Sequence, residues 1–325
     1  MMTEGKPLRW GLLGTGGIAA AFAGDLGRTT SGVPFAVGSR SQGTADAFAD
    51  RFDIPHRHSS YEALVSDPDV DVVYVATPHP FHYENTLQAL HAGKPVLVEK
   101  AFTMNATEAR ELIAAARAAR LFLMEAMWTR FLPHIAEVRR LIGDGVLGEI
   151  VMVMADNGKV FDRDATSRIF APELGGGALL DMGVYNVAFA SMVLGTPTRV
   201  AAMISPAFTG VDGVTSTVLG YPSGAQAVLT CTTSASTPTA AVIAGTDARI
   251  EIDPVYFTPT SFTLVKRNRE ETRYQPEAQG RLRYEADEVA RCLEVGLLES
   301  PYMPLDETVA IMETMDEILS HNAKN

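Results

Sequence analysis

A chain of 325 residues, 46% hydrophobic and 20% charged, has the length of two domains and a globular composition, which excludes wholesale disorder. Its 27 Lys and Arg against 39 Asp and Glu give a net charge of −12, the wrong sign for general attraction to nucleic acid or anionic lipid. Two cysteines, Cys231 and Cys292, make no disulfide framework, Met1 to Trp10 reads directly into a strand, and no apolar stretch of bilayer-spanning length stands out, so the expected setting is cytoplasmic, without membrane or nucleic-acid partners.

The first third alternates apolar strands with helical segments. Leu8–Leu13 reads as a strand and Ile18–Leu26 as a helix. Pro34–Gly38 and Thr44–Phe52 repeat the pair. Asp71–Ala76 is a nearly continuous apolar run, as a strand buried on both faces requires. Phe81–His91 is helical and is stopped at Gly93, and Pro95–Val98 is the next strand. Asn105 caps the following helix with Glu108 in the capping-box position, and Leu121–Met124 is strand again. This alternation predicts an α/β domain with a parallel sheet covered on both faces, spanning residues 1–124.

Residues 125–325 read differently. Ile150–Ala155, Arg199–Ser205, Thr215–Tyr221, Ala225–Thr233, Ala240–Ala244, Ala248–Ile252 and Ser261–Lys266 are short strand-like runs, several joined by turns such as Tyr221-Pro222-Ser223-Gly224. Helices are expected over Ala178–Leu194, Tyr284–Val295 and Leu305–Ser320, giving an antiparallel sheet with helices on one face.

After the first strand stands Gly14-Thr15-Gly16-Gly17-Ile18-Ala19, a G-x-G-x-x-A loop. Gly14 permits the tight turn, Gly16 lets backbone approach a pyrophosphate, and Ala19 allows close helix–strand packing. The helix that follows offers free N–H groups to the phosphates. At the end of the second strand, where a carboxylate would hold the ribose 2′-hydroxyl of NAD, the chain has Ser39 and Arg40. A guanidinium there pairs with a 2′-phosphate, which favours NADP over NAD.

Glu99-Lys100 closes a strand at the carboxyl edge of the sheet, where such folds bind ligands. Lys100 is either a functional ammonium or one simply neutralised by Glu99. Asp181 and Tyr185, in the run Gly175–Tyr185, are four apart and share a helix face. Gly183 between them points to close packing. A helix start with an early Asp and an ordinary amphipathic Tyr is the plainer alternative.

These pieces, with Ala76-Thr77-Pro78 and His82, resemble the glucose–fructose oxidoreductase/inositol dehydrogenase (GFO/IDH/MocA) family over essentially the whole chain. The stretch Phe122–Phe131 is most similar to the dimeric dihydrodiol dehydrogenase and NADP-dependent D-xylose dehydrogenase branch. The resemblance implies a Rossmann domain followed by an α+β domain with an open, mostly antiparallel sheet that serves oligomerisation, here as a homodimer. It implies a catalytic set of Lys100, Asp181 and Tyr185, with Tyr185 where many members have histidine. It also implies a nicotinamide side lined by Thr77, Pro78, His79 and His82, with Glu99, Lys100 and Trp128 near the cofactor. Ala101 departs from the family's proline after the lysine.

The expected chemistry is hydride transfer between NADP and the CH–OH group of a sugar, polyol or vicinal diol. Tyr185 exchanges the hydroxyl proton, and Lys100 tunes it and holds the substrate oxygen, the two facing one another at a cleft between the domains. Assignment of the acid/base role to Lys100 stays open. Trp128 stacks near nicotinamide or substrate, or is a core tryptophan. Arg130, Lys159 and Arg168 are read as structural or exposed. His56 and His58 are read as surface residues at a helix end, and His79 with His82 supply too few ligands for a metal, so none is expected. A keto-sugar (anhydrofructose-type) reductase and a non-catalytic NADP-binding regulator are the alternatives; joint retention of Lys100, Asp181 and Tyr185 argues against the regulator.

Overall fold

The computed structural model describes residues 6–321, and the expected lead-in at Met1 to Gly5 lies outside them. The chain divides into two compact units. One runs up to Trp128 and takes in Gln279–Thr308; the other comprises Thr129–Ala278 and the chain from Val309 onward.

In the first unit β1 (Leu8–Leu13), α1 (Gly17–Leu26), β2 (Gly32–Gly38), α2 (Gln42–Phe52), β3 (His56–His58), α3 (Tyr61–Val65), β4 (Val72–Val75), α4 (His82–His91), β5 (Val96–Glu99), α5 (Ala106–Ala119) and β6 (Leu123–Ala126) follow in order. All six strands are parallel, in the order β3-β2-β1-β4-β5-β6, a Rossmann sheet. Every residue of β4, β5 and β6 is buried, as expected for strands covered on both faces. Phe22 of α1 stacks on Tyr74 of β4 at 4.0 Å and meets Trp10 of β1 edge-on at 5.0 Å, so helix and sheet share an aromatic core. Asn105 caps α5 by accepting the Glu108 N–H at 3.0 Å, while the Glu108 carboxylate accepts from Met104 N–H.

The C-terminal return was not anticipated by a linear division at residue 124. Asp25, buried at the end of α1, accepts the backbone N–H groups of Arg281 and Leu282 at 2.8 Å each. It thereby serves the start of α8 (Arg283–Glu294), which has no capping side chain of its own. Leu123 of β6 donates to the Leu298 carbonyl, which ties that stretch to the last strand of the sheet.

The second unit carries α6 (Pro133–Gly143), β7 (Ile150–Gly158), α7 (Val184–Leu194), β8 (Arg199–Pro206), β9 (Asp212–Gly220), β10 (Gln226–Thr232), β11 (Ala241–Gly245), β12 (Ala248–Ile252), β13 (Phe262–Lys266) and β14 (Glu271–Tyr274); α9 (Leu305–Ser320) closes the chain. The eight strands lie in the order β14-β13-β12-β11-β7-β10-β9-β8. All pairs are antiparallel except β7 with β10. The hairpin at Tyr221–Gly224 joins β9 to β10, with Tyr221 N–H bonded to Ala225 O.

The run Pro172–Leu194 corrects the reading that no apolar stretch approaches bilayer length. It is long and apolar enough to span a membrane, yet it is mostly buried within its own unit, as a core helix is.

Candidate active site

The first unit builds a dinucleotide cradle from backbone. Gly14 has φ +113°, and a Cβ there would lie 2.9 Å from the Ala76 carbonyl, so only glycine lets β1 turn beside the end of β4. Cβ atoms at Gly16 and Gly17 would meet nothing within 4 Å, so open space faces the loop. The first turn of α1 has neither a side-chain cap nor an acidic residue, leaving its N–H groups and positive dipole end for a phosphate. Ala19 is fully buried against the sheet. These features fit a bound pyrophosphate.

At the end of β2, Ser39 is buried and its N–H bonds to the His58 carbonyl at 3.1 Å, which leaves Arg40 exposed at the strand tip. Arg40 acts electrostatically on Tyr61, whose own hydroxyl is pushed up chiefly by burial. The Ser41 hydroxyl then caps α2.

Lys100 follows β5 and is half-buried. Glu99 beside it is buried; its carboxylate accepts from the Tyr74 hydroxyl and, at 3.2 Å, from the Lys100 N–H. The Lys100–Ala101 peptide is cis. Two histidines hold this turn from the β4 side. His79 Nε2 lies 3.2 Å from the Lys100 carbonyl, and His82 places Nδ1 2.9 Å from Ala101 O and Nε2 2.7 Å from Thr77 O. His82 is fully buried; burial lowers its pKa, and the carbonyls that face its two ring nitrogens work the other way. Both rings act on backbone: they fix the Thr77–Pro78 turn and the Lys100 turn together, and Asn85 adds a bond to the Thr77 hydroxyl at 3.0 Å. Trp128 is buried with the Arg281 guanidinium 5.6 Å from its ring, a cation–π contact.

A carboxyl the sequence reading overlooked lies in this unit. Glu285 on α8 is fully buried, and neither oxygen has a hydrogen-bond partner. Burial first, then the charges of Glu99 and Asp25, raise its pKa well above the usual range.

In the second unit Gly175–Gly177 form a turn with positive φ at Gly175 and Gly177, and from Ala178 the segment is helical, with a π-turn over Leu179–Gly183 that passes into α7. π-turns recur at functional sites. Asp181 and Tyr185 therefore lie on the joint of two helical types. Gly183 is required by proximity: a Cβ would lie 2.9 Å from Cys231 Sγ of β10 and 2.7 Å from the Leu179 side chain. Asp212 of β9, which the sequence reading missed, anchors the segment's start by accepting Leu179 N–H at 2.7 Å and the Thr215 hydroxyl at 3.3 Å. Burial raises its pKa to about 6. Asn157 of β7 donates to the Met182 carbonyl at 3.1 Å.

Tyr185 is buried and stacks on Phe257, with centroids 4.3 Å apart and planes at 12°. Tyr256, next to Phe257, donates to Asn186 Oδ1 at 2.7 Å, and burial pushes its hydroxyl well up. Asp181 pairs with Arg168 at 3.0 Å, so this arginine engages a candidate catalytic residue instead of standing apart. Lys159 is exposed and lies over Phe161. Arg130 is buried and donates to the Ala188 carbonyl at 2.8 Å, a structural bond to α7. His56 and His58 stand on β3, an edge strand, and not at a helix end.

Comparison with known proteins agrees with this architecture. Residues 8–127 match the oxidoreductase family with NAD-binding Rossmann fold, and residues 135–251 match the GFO/IDH/MocA C-terminal domain. The chain is 37% identical to a trans-1,2-dihydrobenzene-1,2-diol dehydrogenase from Mus musculus, over 95% of each chain. It is 36% identical to a D-xylose 1-dehydrogenase (NADP(+)) from Hypocrea jecorina, over 98% of this chain and 93% of that one. Among solved structures, an aldose-aldose oxidoreductase from Caulobacter crescentus in complex with glycerol superposes with a TM-score of 0.90 at 25% identity, over 98% of both chains. A 3-ketoreductase from Actinomadura kijaniata, crystallised with NADP and TDP-benzene, gives 0.86 at 26% over 97% of both. With the Rossmann order of its first sheet and full-length relatives above 30% identity, the chain belongs to the GFO/IDH/MocA oxidoreductase family.

Proposed function

We propose that this protein is an NADP-dependent oxidoreductase that transfers a hydride between the nicotinamide and the CH–OH group of a sugar, polyol or vicinal diol. The observation that carries this reading is the match over 95% of the chain to a dihydrodiol dehydrogenase, with Lys100, Asp181 and Tyr185 all present. NADP is favoured by Arg40 at the tip of β2, where a carboxylate for the ribose hydroxyl is missing. When bound, the dinucleotide supplies the hydride acceptor.

The chain's own residues handle the proton. Tyr185 takes the substrate's hydroxyl proton as the carbonyl forms and returns it in the reductive direction. A free tyrosine, with a pKa of about 10, is a weak base at neutral pH, and a neighbouring ammonium favours the phenolate. Lys100 is the group assigned to that task. Asp181, held by Arg168, orients the substrate. Stacking on Phe257 fixes the plane of the Tyr185 ring, so its hydroxyl is pre-positioned.

The second sheet offers a surface for self-association. Met154, Val228 and Val218 form one cross-strand row on β7, β10 and β9, each more than a third exposed, and Met203 on β8 is 73% exposed. An apolar row of this kind marks an interface, and a homodimer through this face is the proposed assembly. Met203→Glu together with Val218→Glu should turn a dimer into a monomer by light scattering; a monomeric wild type would remove the proposal.

The activity is tested by following absorbance at 340 nm with NADP or NAD against aldoses, polyols and trans-dihydrodiols. Turnover with NADP and one of these substrate classes is expected, and Arg40→Ala should narrow the preference for NADP by about tenfold or more. Equal use of NAD by the wild type would overturn the reading of Arg40.

A further inference from the structure

Outside the catalytic machinery, one cluster of metal-ligating side chains stands on the edge of the first sheet. His56 and His58 alternate along β3 and so point to the same side, while Arg57 points to the other and pairs with Asp50 of α2 at 2.7 Å. The turn after α3 brings Asp67 beneath them. Its carboxylate is buried, with Oδ2 2.7 Å from His56 Nδ1 and 3.0 Å from His58 Nε2. The three donor atoms lie within 4.8 Å of one another. Asp67 Oδ1 accepts the Asp69 N–H at 2.9 Å, which sets the carboxylate plane, and Phe35 packs against the His56 ring at 4.3 Å.

We infer that His56 Nδ1, His58 Nε2 and Asp67 Oδ2 form a binding site for a divalent transition-metal ion of the zinc class, with one coordination position left open. This departs from the expectation that the chain binds no metal, and it is independent of the catalytic reading. Two imidazoles and one carboxylate are a ligand set that zinc accepts, and the open position takes water. Metal–donor bonds of about 2.0–2.1 Å at tetrahedral angles space the donors about 3.3 Å apart, so the two Asp67–histidine distances open by a few tenths of an ångström while the histidine nitrogens, within 4.8 Å of one another, converge on the ion. Either ring nitrogen of an imidazole can serve as the donor to a metal, and both rings already converge on the Asp67 carboxylate.

The neighbouring charge is Lys94, whose ammonium donates to the Asp67 and Val70 carbonyls at 2.7 and 2.8 Å. It occupies the backbone side of Asp67 and leaves Oδ2 to the histidines.

The test uses the full chain after chelator treatment, titrated with Zn²⁺ alone at pH 7.5 by calorimetry, with Co²⁺ as a spectroscopic substitute. One equivalent per chain, a rise in Tm and a tetrahedral Co²⁺ spectrum are expected. His56→Ala/His58→Ala should weaken binding by about 100-fold or more and abolish the spectrum, with NADPH binding retained. Should that double variant fail to fold, His58→Gln alone serves, and it should still lose the spectrum. A wild type that takes up no Zn²⁺, or a His58→Gln protein that binds as the wild type does, would overturn the assignment.

Discussion

The two segments that carry the proposed chemistry are built in opposite ways. The Gly14–Ala19 loop is local: its turn, its open face and its helix N-terminus all come from neighbouring residues, and the main remote constraint is the Ala76 carbonyl pressing on Gly14. The Leu179–Tyr185 segment is held from afar. Asp212 fixes its first turn, Asn157 its carbonyl at Met182, Cys231 the packing at Gly183, and Phe257 the ring of Tyr185. A nucleotide site made of backbone tolerates many side chains around it. A proton-transfer site made of one side chain depends on several distant supports.

The largest effect should come from removing a chemical group from an intact frame. Lys100→Met is expected to lower kcat by about 10²–10⁴-fold, the usual range for loss of acid–base assistance, with NADPH affinity changed far less. Comparable losses in affinity and turnover would make Lys100 a binding residue only.

Damage to the local loop should separate the two functions. Gly14→Val places a branched side chain at φ +113° against a backbone oxygen, so NADPH affinity should fall by about 100-fold or more, measured by quenching of protein fluorescence. Unchanged affinity would mean that the cradle lies elsewhere.

The remote support is read through stability. Asp212 has a folded pKa near 6 against an ordinary value of 3.8, so the folded state holds its proton more tightly. The stability this confers is fully present below about pH 4 and is lost as pH rises through 6, amounting to about 3 kcal/mol. Asp212→Asn should flatten that part of the urea-unfolding profile between pH 4 and 6.5. An unaltered slope would assign it to another group.

Glu285 gives a second readout of the same kind. Its raised pKa also means that stability falls as pH climbs above the usual carboxylate range. Glu285→Gln, which cannot ionise, should gain stability relative to wild type as pH rises from about 4.5 to 8. A constant difference across this range would indicate a packing effect instead.

The same contrast explains how much the sequence disclosed. The parallel sheet, the loop after β1, the Asn105 cap and most strands of the second sheet follow from period, turn residues and spacing, which are local properties. Helix α6 was missed although Ile135, Val138 and Leu141 recur at helical spacing behind Pro133, so its signal was present. Strand β3 and helix α3 are too short for any period to register. The return of residues 279–308 to the first unit was not legible, because Asp25 and Arg281 meet only in three dimensions. Asp212 opens strand β9 as part of an ordinary Asp-Gly pair, and nothing local marks it as the anchor of a helix 33 residues away. Phe257 and the π-turn were hidden for the same reason: their partners are remote in sequence.

In the proposed mechanism the Tyr185 phenol carries the proton while NADP is held independently by the first unit. The most direct measurement is single-turnover hydride transfer at 340 nm for wild type and Tyr185→Phe, with a trans-dihydrodiol or D-xylose, across pH 6 to 10. The account predicts a wild-type rate that rises with pH as the phenol ionises, and a Tyr185→Phe protein that binds NADPH normally but transfers hydride at least about 100-fold more slowly without that rise. A Tyr185→Phe enzyme with the wild-type rate and pH profile would contradict it and move the acid–base role to Lys100.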